Sequence, residues 1–259
     1  MVSARTFLIS LAAVTCAFAQ TEQRLASNSF TPSQAPKPES APVKLTPEQR
    51  GDVYMARKMF REAIDSYRDG PQNAAVTWNK IGIAYHQLGD FGAARRNYEK
   101  AIKTDKKYAD AVNNLGTVYY AEKKYRTAIS RYRHALDMKP EAASFWSNLG
   151  TAYYSRGKFP EMTKAYEKAL SLDPDVFEHR GVVGTELQDR TVADRARYHY
   201  EMARMYAKTG KNELALQYLR KSLEEGLKDK AKMTSAPEFA ALRDTPEFQE
   251  LLTLQPRVL

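Results

Sequence analysis

The sequence predicts an all-α protein built as a solenoid of about five stacked helix pairs. Three observations predict it. The chain matches itself at an offset of 34 residues, the apolar residues inside each repeat fall at helical spacing, and prolines stand where second helices should stop.

The self-match is carried by several series. Gly82, Gly116 and Gly150 form one, and Tyr85, Tyr119 and Tyr153 another. Tyr98, Tyr132 and Tyr166 form a third, and Ala101, Ala135 and Ala169 a fourth. Two series are incomplete. Met162 follows Ala94 and Ala128, and Lys106 stands where Pro140 and Pro174 would place a proline. Within the first helix of a unit, apolar residues at i, i+3 and i+7 share one face of a 3.6-residue period. Small Gly and Ala let paired helices approach, and the large second-helix aromatic is expected to fill space toward the next unit. Pro140 and Pro174 cannot continue a helix and push the residue before them out of the α region. No unit can bury its apolar face alone, so the units must stack.

The stretch Trp146-Ser147-Asn148-Leu149-Gly150-Thr151-Ala152-Tyr153 resembles the W-x-x-L-G-x-x-Y signature of tetratricopeptide repeats. Trp78-Asn79-Lys80-Ile81-Gly82-Ile83-Ala84-Tyr85 resembles it with Ile for Leu, and Val112 replaces Trp in the middle unit. The resemblance implies a right-handed superhelix of helix pairs over 75–108, 109–142 and 143–176. Gly51, Tyr54, Ala63 and Tyr67 repeat the spacing in a short unit at 44–74 that Pro71 follows closely. Ala203, Tyr206, Gly210, Ala215 and Leu219 repeat it at 196–226, with Gly226 as a helix stop. Units one to four thus occupy 44–176. Residues 227–259 are expected to cap the array: Pro237 and Pro246, each followed by an acidic residue, suit helix starts, and Phe239, Leu242, Phe248, Leu251 and Leu252 can cover the last unit.

Ahead of the repeats, residues 1–19 read as a signal peptide. Arg5 precedes an apolar run from Phe7 to Phe18, and Ala17-Phe18-Ala19 offers small residues for cleavage before Gln20. The run is about half of the roughly 20 residues a membrane anchor needs. Cys16, the only cysteine, raises a lipoprotein alternative, but Ala13-Val14-Thr15 makes a poor lipobox. The expected location is therefore the periplasm or the exterior, with no transmembrane segment after cleavage. Residues 20–43 carry Pro32, Pro36, Pro38 and Pro42 among Ser, Thr, Gln and Ala, and read as a disordered tether. Residues 177–195 interrupt the repeats; they are a linker with a short helix or a loop reaching the groove.

Chemistry is not legible. His86, His134, His179 and His199 stand singly, and no nucleophile elbow, P-loop or dinucleotide fingerprint is present. No enzyme, metal or cofactor is expected. The family resemblance places the concave, partner-binding residues at Asn79, His86, Asn113, Asn114, Thr117, Tyr120, Ser147, Asn148, Thr151 and Tyr154. Amides can pair with an extended peptide backbone, and tyrosines add apolar area with a polar tip. The expected function is a scaffold of the cell envelope that binds an extended peptide or a partner helix. A co-chaperone carboxylate clamp is not expected, since of its places only Asn114 matches. Net charge is +9. Arg95, Arg96, Lys100, Lys103, Lys106, Lys107, Lys123, Lys124, Arg126, Arg131 and Arg133 fall on second helices and their turns. The alternative is thus a regulator or carrier that holds a polyanionic envelope component on a basic convex face. Nucleic acid is not expected for an exported chain.

Overall fold

The computed structural model describes residues 44–177, 191–227 and 229–254. The signal peptide, the tether, His179 and most of the 177–195 interruption lie outside the described residues.

Five antiparallel helix pairs follow one another. They are α1 (Pro47–Ala56) with α2 (Phe60–Arg68), and α3 (Ala75–Gln87) with α4 (Phe91–Thr104). Next come α5 (Ala109–Ala121) with α6 (Tyr125–Met138), and α7 (Ala143–Ser155) with α8 (Phe159–Leu172). The fifth pair is α9 (Val192–Lys208) with α10 (Asn212–Glu224). Then α11 (Lys230–Ser235), a 3-10 turn at Pro237–Phe239 and α12 (Pro246–Thr253) close the end. Among the described residues every regular element is helical, as expected.

The starts follow from capping. Thr46 and Gln49 form a reciprocal capping box, and the Asp90 side chain accepts the Ala93 N–H at 2.8 Å. Thr191 does the same for Asp194, so α9 begins at Val192, four residues before the expected unit boundary at 196. The capping segment differs from expectation too. Of the two proline starts only Thr245-Pro246 begins an α-helix, with Thr245 accepting the Phe248 N–H; Pro237 starts a single 3-10 turn, and α11 begins instead behind Asp229. Inside each pair the turn needs one left-handed residue. Gly89, Gly157 and Gly210 supply it at φ near +75°, and Lys58 and Lys123 adopt it at 59° and 58°.

The glycine series explains the pairing distance. A Cβ on Gly82 would lie 2.6 Å from the Tyr98 ring, and one on Gly116 2.6 Å from Tyr132. Gly51 with Tyr67 and Gly150 with Tyr166 make the same contact. The tyrosine therefore packs on the glycine of its own unit and, as expected, also fills space toward the next: Tyr98 shares a core with Leu115 and Val118, and Tyr132 with Leu149 and Ala152. Unit five keeps the 16-residue spacing with the sizes exchanged: Ala203 and Leu219, both fully buried in one core. Met162, the departure from alanine, is also fully buried in that core. Lys106 is exposed, and Asp105 makes its turn without proline by accepting the Lys107 N–H. Trp78 and Trp146 each donate their indole N–H to a carbonyl six residues upstream, Gln72 and Pro140, which ties a helix to the turn before it.

Candidate functional site: a neutral concave groove

First helices of consecutive pairs place equivalent residues one above another. At the fifth position of each unit stand Asn79, Asn113 and Ser147, all 5% exposed or less. At the sixth stand Asn114 and Asn148, half-buried. The amides join into one directional chain. Asn148 Nδ2 donates to Asn113 Oδ1 at 2.9 Å, Asn113 Nδ2 to Asn114 Oδ1 at 3.2 Å, and Asn114 Nδ2 to Asn79 Oδ1 at 3.0 Å. Beside this end of the amide chain, burial raises the pKa of the Tyr108 hydroxyl above the ordinary tyrosine value. The chain spans three units and stitches their first helices together.

This changes what the asparagines offer. Sequence reasoning expected free amides for a peptide backbone. Much of their capacity is used by one another, because side chains 35 residues apart meet where adjacent units stack. An amide has two N–H groups and two acceptor lone pairs, so Asn113 and Asn114 keep capacity for a ligand beyond these bonds.

Thr117 donates to the Asn114 carbonyl at 2.7 Å and sits 3.5 Å from His86 Nδ1. Thr151 donates to the Ser147 carbonyl and meets the Tyr166 hydroxyl at 3.0 Å. Tyr120 shares a 2.6 Å hydrogen bond with Ser155 of the next unit. At the twelfth position, His86, Tyr120 and Tyr154 each pack on the aromatic that opens the second helix: Phe91, Tyr125 and Phe159, with centroids 5.3, 5.2 and 5.9 Å apart. Burial holds the His86 pKa below the ordinary histidine value, so the imidazole is neutral at pH 7.

Two expected groove residues do not line the open space: Asn79, buried as the far end of the amide chain, and Tyr154. Tyr154 is 3% exposed and belongs to the core of units four and five, with Tyr198 of α9 4.9 Å away. The fifth pair covers the position that its equivalents leave half-open. The register alone could not reveal this, since it assigns all three the same place.

What remains open is a cavity of about 480 Å³. His86, Asn113, Asn114, Thr117, Tyr120, Ser147, Asn148 and Thr151 line it, so eight of the ten expected residues converge. Asn79 stands behind them as the far end of the amide chain. Ile83 lines it as well, on the concave side of α3, and sequence reasoning missed five further residues. Tyr98 and Tyr132 reach it from second helices, Gln87 and Ala121 from first-helix ends, and Phe177 from beyond α8. The tyrosine series was visible at 34-residue spacing, but its role as a floor depends on the glycine beneath it.

The lining carries no carboxylate, ammonium or guanidinium group. It combines amides, hydroxyls and aromatic faces around a polar but neutral space. Such a surface can pair with backbone N–H and C=O groups and stack against uncharged side chains. Among the described residues, no three His, Cys, Asp or Glu side chains could together hold a metal ion. Among them too, no helix is long and apolar enough to cross a membrane.

Family models described as tetratricopeptide repeats match the chain at 82–123 and 116–157, and at 143–176 and 196–225. No curated protein sequence matches it. Among solved structures, the chain is similar to pilF of Pseudomonas aeruginosa, at 21% identity and a TM-score of 0.51 over 80% of this chain and 95% of that one. It is also similar to MamA, at 24% identity over 70% of this chain and 96% of that one, with a TM-score of 0.46. MamA of Desulfovibrio magneticus RS-1 is 21% identical over 68% and 90%, with a TM-score of 0.46. At 21% identity the likeness to pilF speaks for the fold alone.

Proposed function

Because the chain belongs to the tetratricopeptide-repeat family through residues 82–176 and 196–225, we propose that it is a non-catalytic scaffold that binds a protein partner in the concave groove of units two to four. One observation carries the reading: eight half-buried or buried polar and aromatic side chains from three successive first helices line one open cavity. A neutral lining favours an extended, uncharged segment, because a charged side chain would lose water there without gaining a counter-ion. The partner's backbone would meet the amides and hydroxyls, and its apolar side chains the tyrosine floor. Residues 1–19 support work outside the cytoplasm, in the periplasm or beyond. Amino-terminal sequencing of the chain from fractionated cells should then begin at Gln20.

A second reading has its own support. Residues 75–142 hold 13 Lys and Arg against 7 Asp and Glu, six of the nine net positive charges. Arg96, Lys100, Lys103, Lys106, Lys107, Arg126 and Arg133 are exposed there. Arg95 and Lys124 are tied to Glu122, and Arg131 is half-buried, so the basic stripe is thinner than the sequence suggests. On this reading a polyanionic envelope component docks to the outer face.

A photo-crosslinking residue separates the two. Placed at Thr117 in living cells, it should yield a protein adduct that the same residue at Arg133 does not. Adducts from Arg133 alone would contradict the groove reading.

A further inference from the structure

The regular junctions are closed by short turns: residues 105–108 join α4 to α5, and 139–142 join α6 to α7. Between α8 and α9 the connection is 19 residues long. There an ion pair, Lys208 to Glu167 at 2.9 Å, joins α9 to α8, and a second, Lys211 to Asp175 at 2.5 Å, joins the turn after α9 to the segment after α8. Beside the first of these pairs a crevice of about 490 Å³ opens between the two helices. It shares no lining residue with the concave groove.

Its floor is apolar and its rim is cationic. Leu170 and Met205, each 2% exposed, form the floor where the core of units four and five reaches the crevice. Lys164, Lys168 and Lys208 stand around it, and Glu167 is the only carboxylate in the lining. Glu167 already accepts Lys208. Lys168 reaches Glu141 only at 3.9 Å, and Lys164 makes no ion pair among the described residues. Positions 164, 167, 168 and 171 fall at helical spacing, so α8 presents them on one face. Two ammonium groups thus flank an apolar floor with little internal neutralisation.

We propose that this crevice is a second docking site, and that it takes an acidic–apolar segment of a protein partner. A side chain of leucine or phenylalanine size would pack on the methylene stems of the rim lysines above the almost fully covered Leu170 and Met205, and carboxylates on either side would meet the Lys164 and Lys168 ammonium groups. The apolar floor decides the ligand class. A free phosphate would use the lysines alone, and a bilayer surface could not enter between the helices. Lysines rather than arginines suit single carboxylates, since an ammonium is a point charge without a bidentate fork.

The probe is a fluorescein-labelled, capped peptide of alternating Asp and Leu, titrated with the full chain and read by anisotropy at 50 mM salt. Replacing its Asp by Asn, or its Leu by Ser, should weaken binding at least tenfold each. Lys164→Glu with Lys168→Glu should weaken the Asp–Leu peptide at least tenfold, and Lys164→Gln with Lys168→Gln at least threefold, with unchanged circular dichroism. Lys106→Glu with Lys107→Glu, an equal charge change on a distant turn, should leave it within twofold. The proposal is overturned if the peptide does not bind, or if the distant pair weakens it as much. It also fails if the Ser peptide binds equally well, or if inorganic phosphate at low millimolar concentration displaces the probe. None of these results bears on the groove, which the crosslink at Thr117 tests separately.

Discussion

Gly116→Ala should destabilise the protein although alanine is the better helix former. In an exposed helix interior the exchange would stabilise by about 1 kcal/mol. Here the new Cβ would stand 2.6 Å from Tyr132 Cε1 and 2.8 Å from Cδ1, with Arg131 Cβ at 3.3 Å on its other side. Carbon atoms prefer about 3.5–4.0 Å, so the ring would have to retreat by roughly 1 Å. Tyr132 is 2% exposed and cannot swing into solvent. Overpacking of this kind costs about 1–3 kcal/mol. With the helix gain subtracted, the expected net loss is about 0–2 kcal/mol, toward the upper end because the buried ring has no space to retreat into. Urea unfolding followed by circular dichroism measures it, with the m-value checked for constancy. The partner variant is Tyr132→Leu, and the pair Gly116→Ala with Tyr132→Leu reproduces what unit five already holds in Ala203 and Leu219. The double variant should be more stable than the two single losses summed, by about 1–2 kcal/mol of coupling. A Gly116→Ala protein more stable than the parent by the full helix gain of about 1 kcal/mol, or strictly additive losses, would refute the close-approach reasoning.

Other consequences are as direct. His86 and His199 both have pKa values below the ordinary histidine value, chiefly through burial, and for His199 this outweighs the adjacent Glu225. Below about pH 6.5 the unfolded chain takes up protons that the folded chain does not, so stability must fall as pH drops through that value and level off below the folded pKa values. Calorimetry should give a lower Tm at pH 5.5 than at pH 7.5, and a smaller difference for His86→Gln; a flat or inverted profile contradicts this. Gly157→Ala meets nothing within 4 Å but holds φ at +71°, so a loss of about 1 kcal/mol, purely conformational, is expected in urea. Phe248 is fully buried on Phe239 in the capping segment. Phe248→Ala should cost about 3–5 kcal/mol, and a loss below about 1 kcal/mol would mean that the end of the array does not depend on its cap.

Much of the fold was legible because the repeats state it several times over. Gly82, Gly116 and Gly150 are each matched by a tyrosine 16 residues on, and that redundancy fixed helix pairs and register together. The turns were less legible. The left-handed position runs Gly89, Lys123, Gly157, and the lysine hides a series that only backbone geometry reveals. At the groove, position within the unit identified eight lining residues correctly. It failed at Tyr154, because burial there comes from Tyr198 of α9, across a 19-residue interruption that no local pattern spans. The amide chain was likewise invisible, since it depends on which side chains 35 residues apart meet when units stack.

The central claim is that partner affinity resides in the neutral groove rather than in the basic face. The direct test takes the protein captured by the crosslinker at Thr117, purifies it, and measures its affinity for the parent chain and for Asn113→Ala with Asn148→Ala, from 50 to 500 mM salt. An uncharged groove predicts at least a tenfold loss in the double variant and less than a threefold change across the salt range. Affinity that survives both substitutions but collapses with salt would place binding on exposed cations and contradict the account.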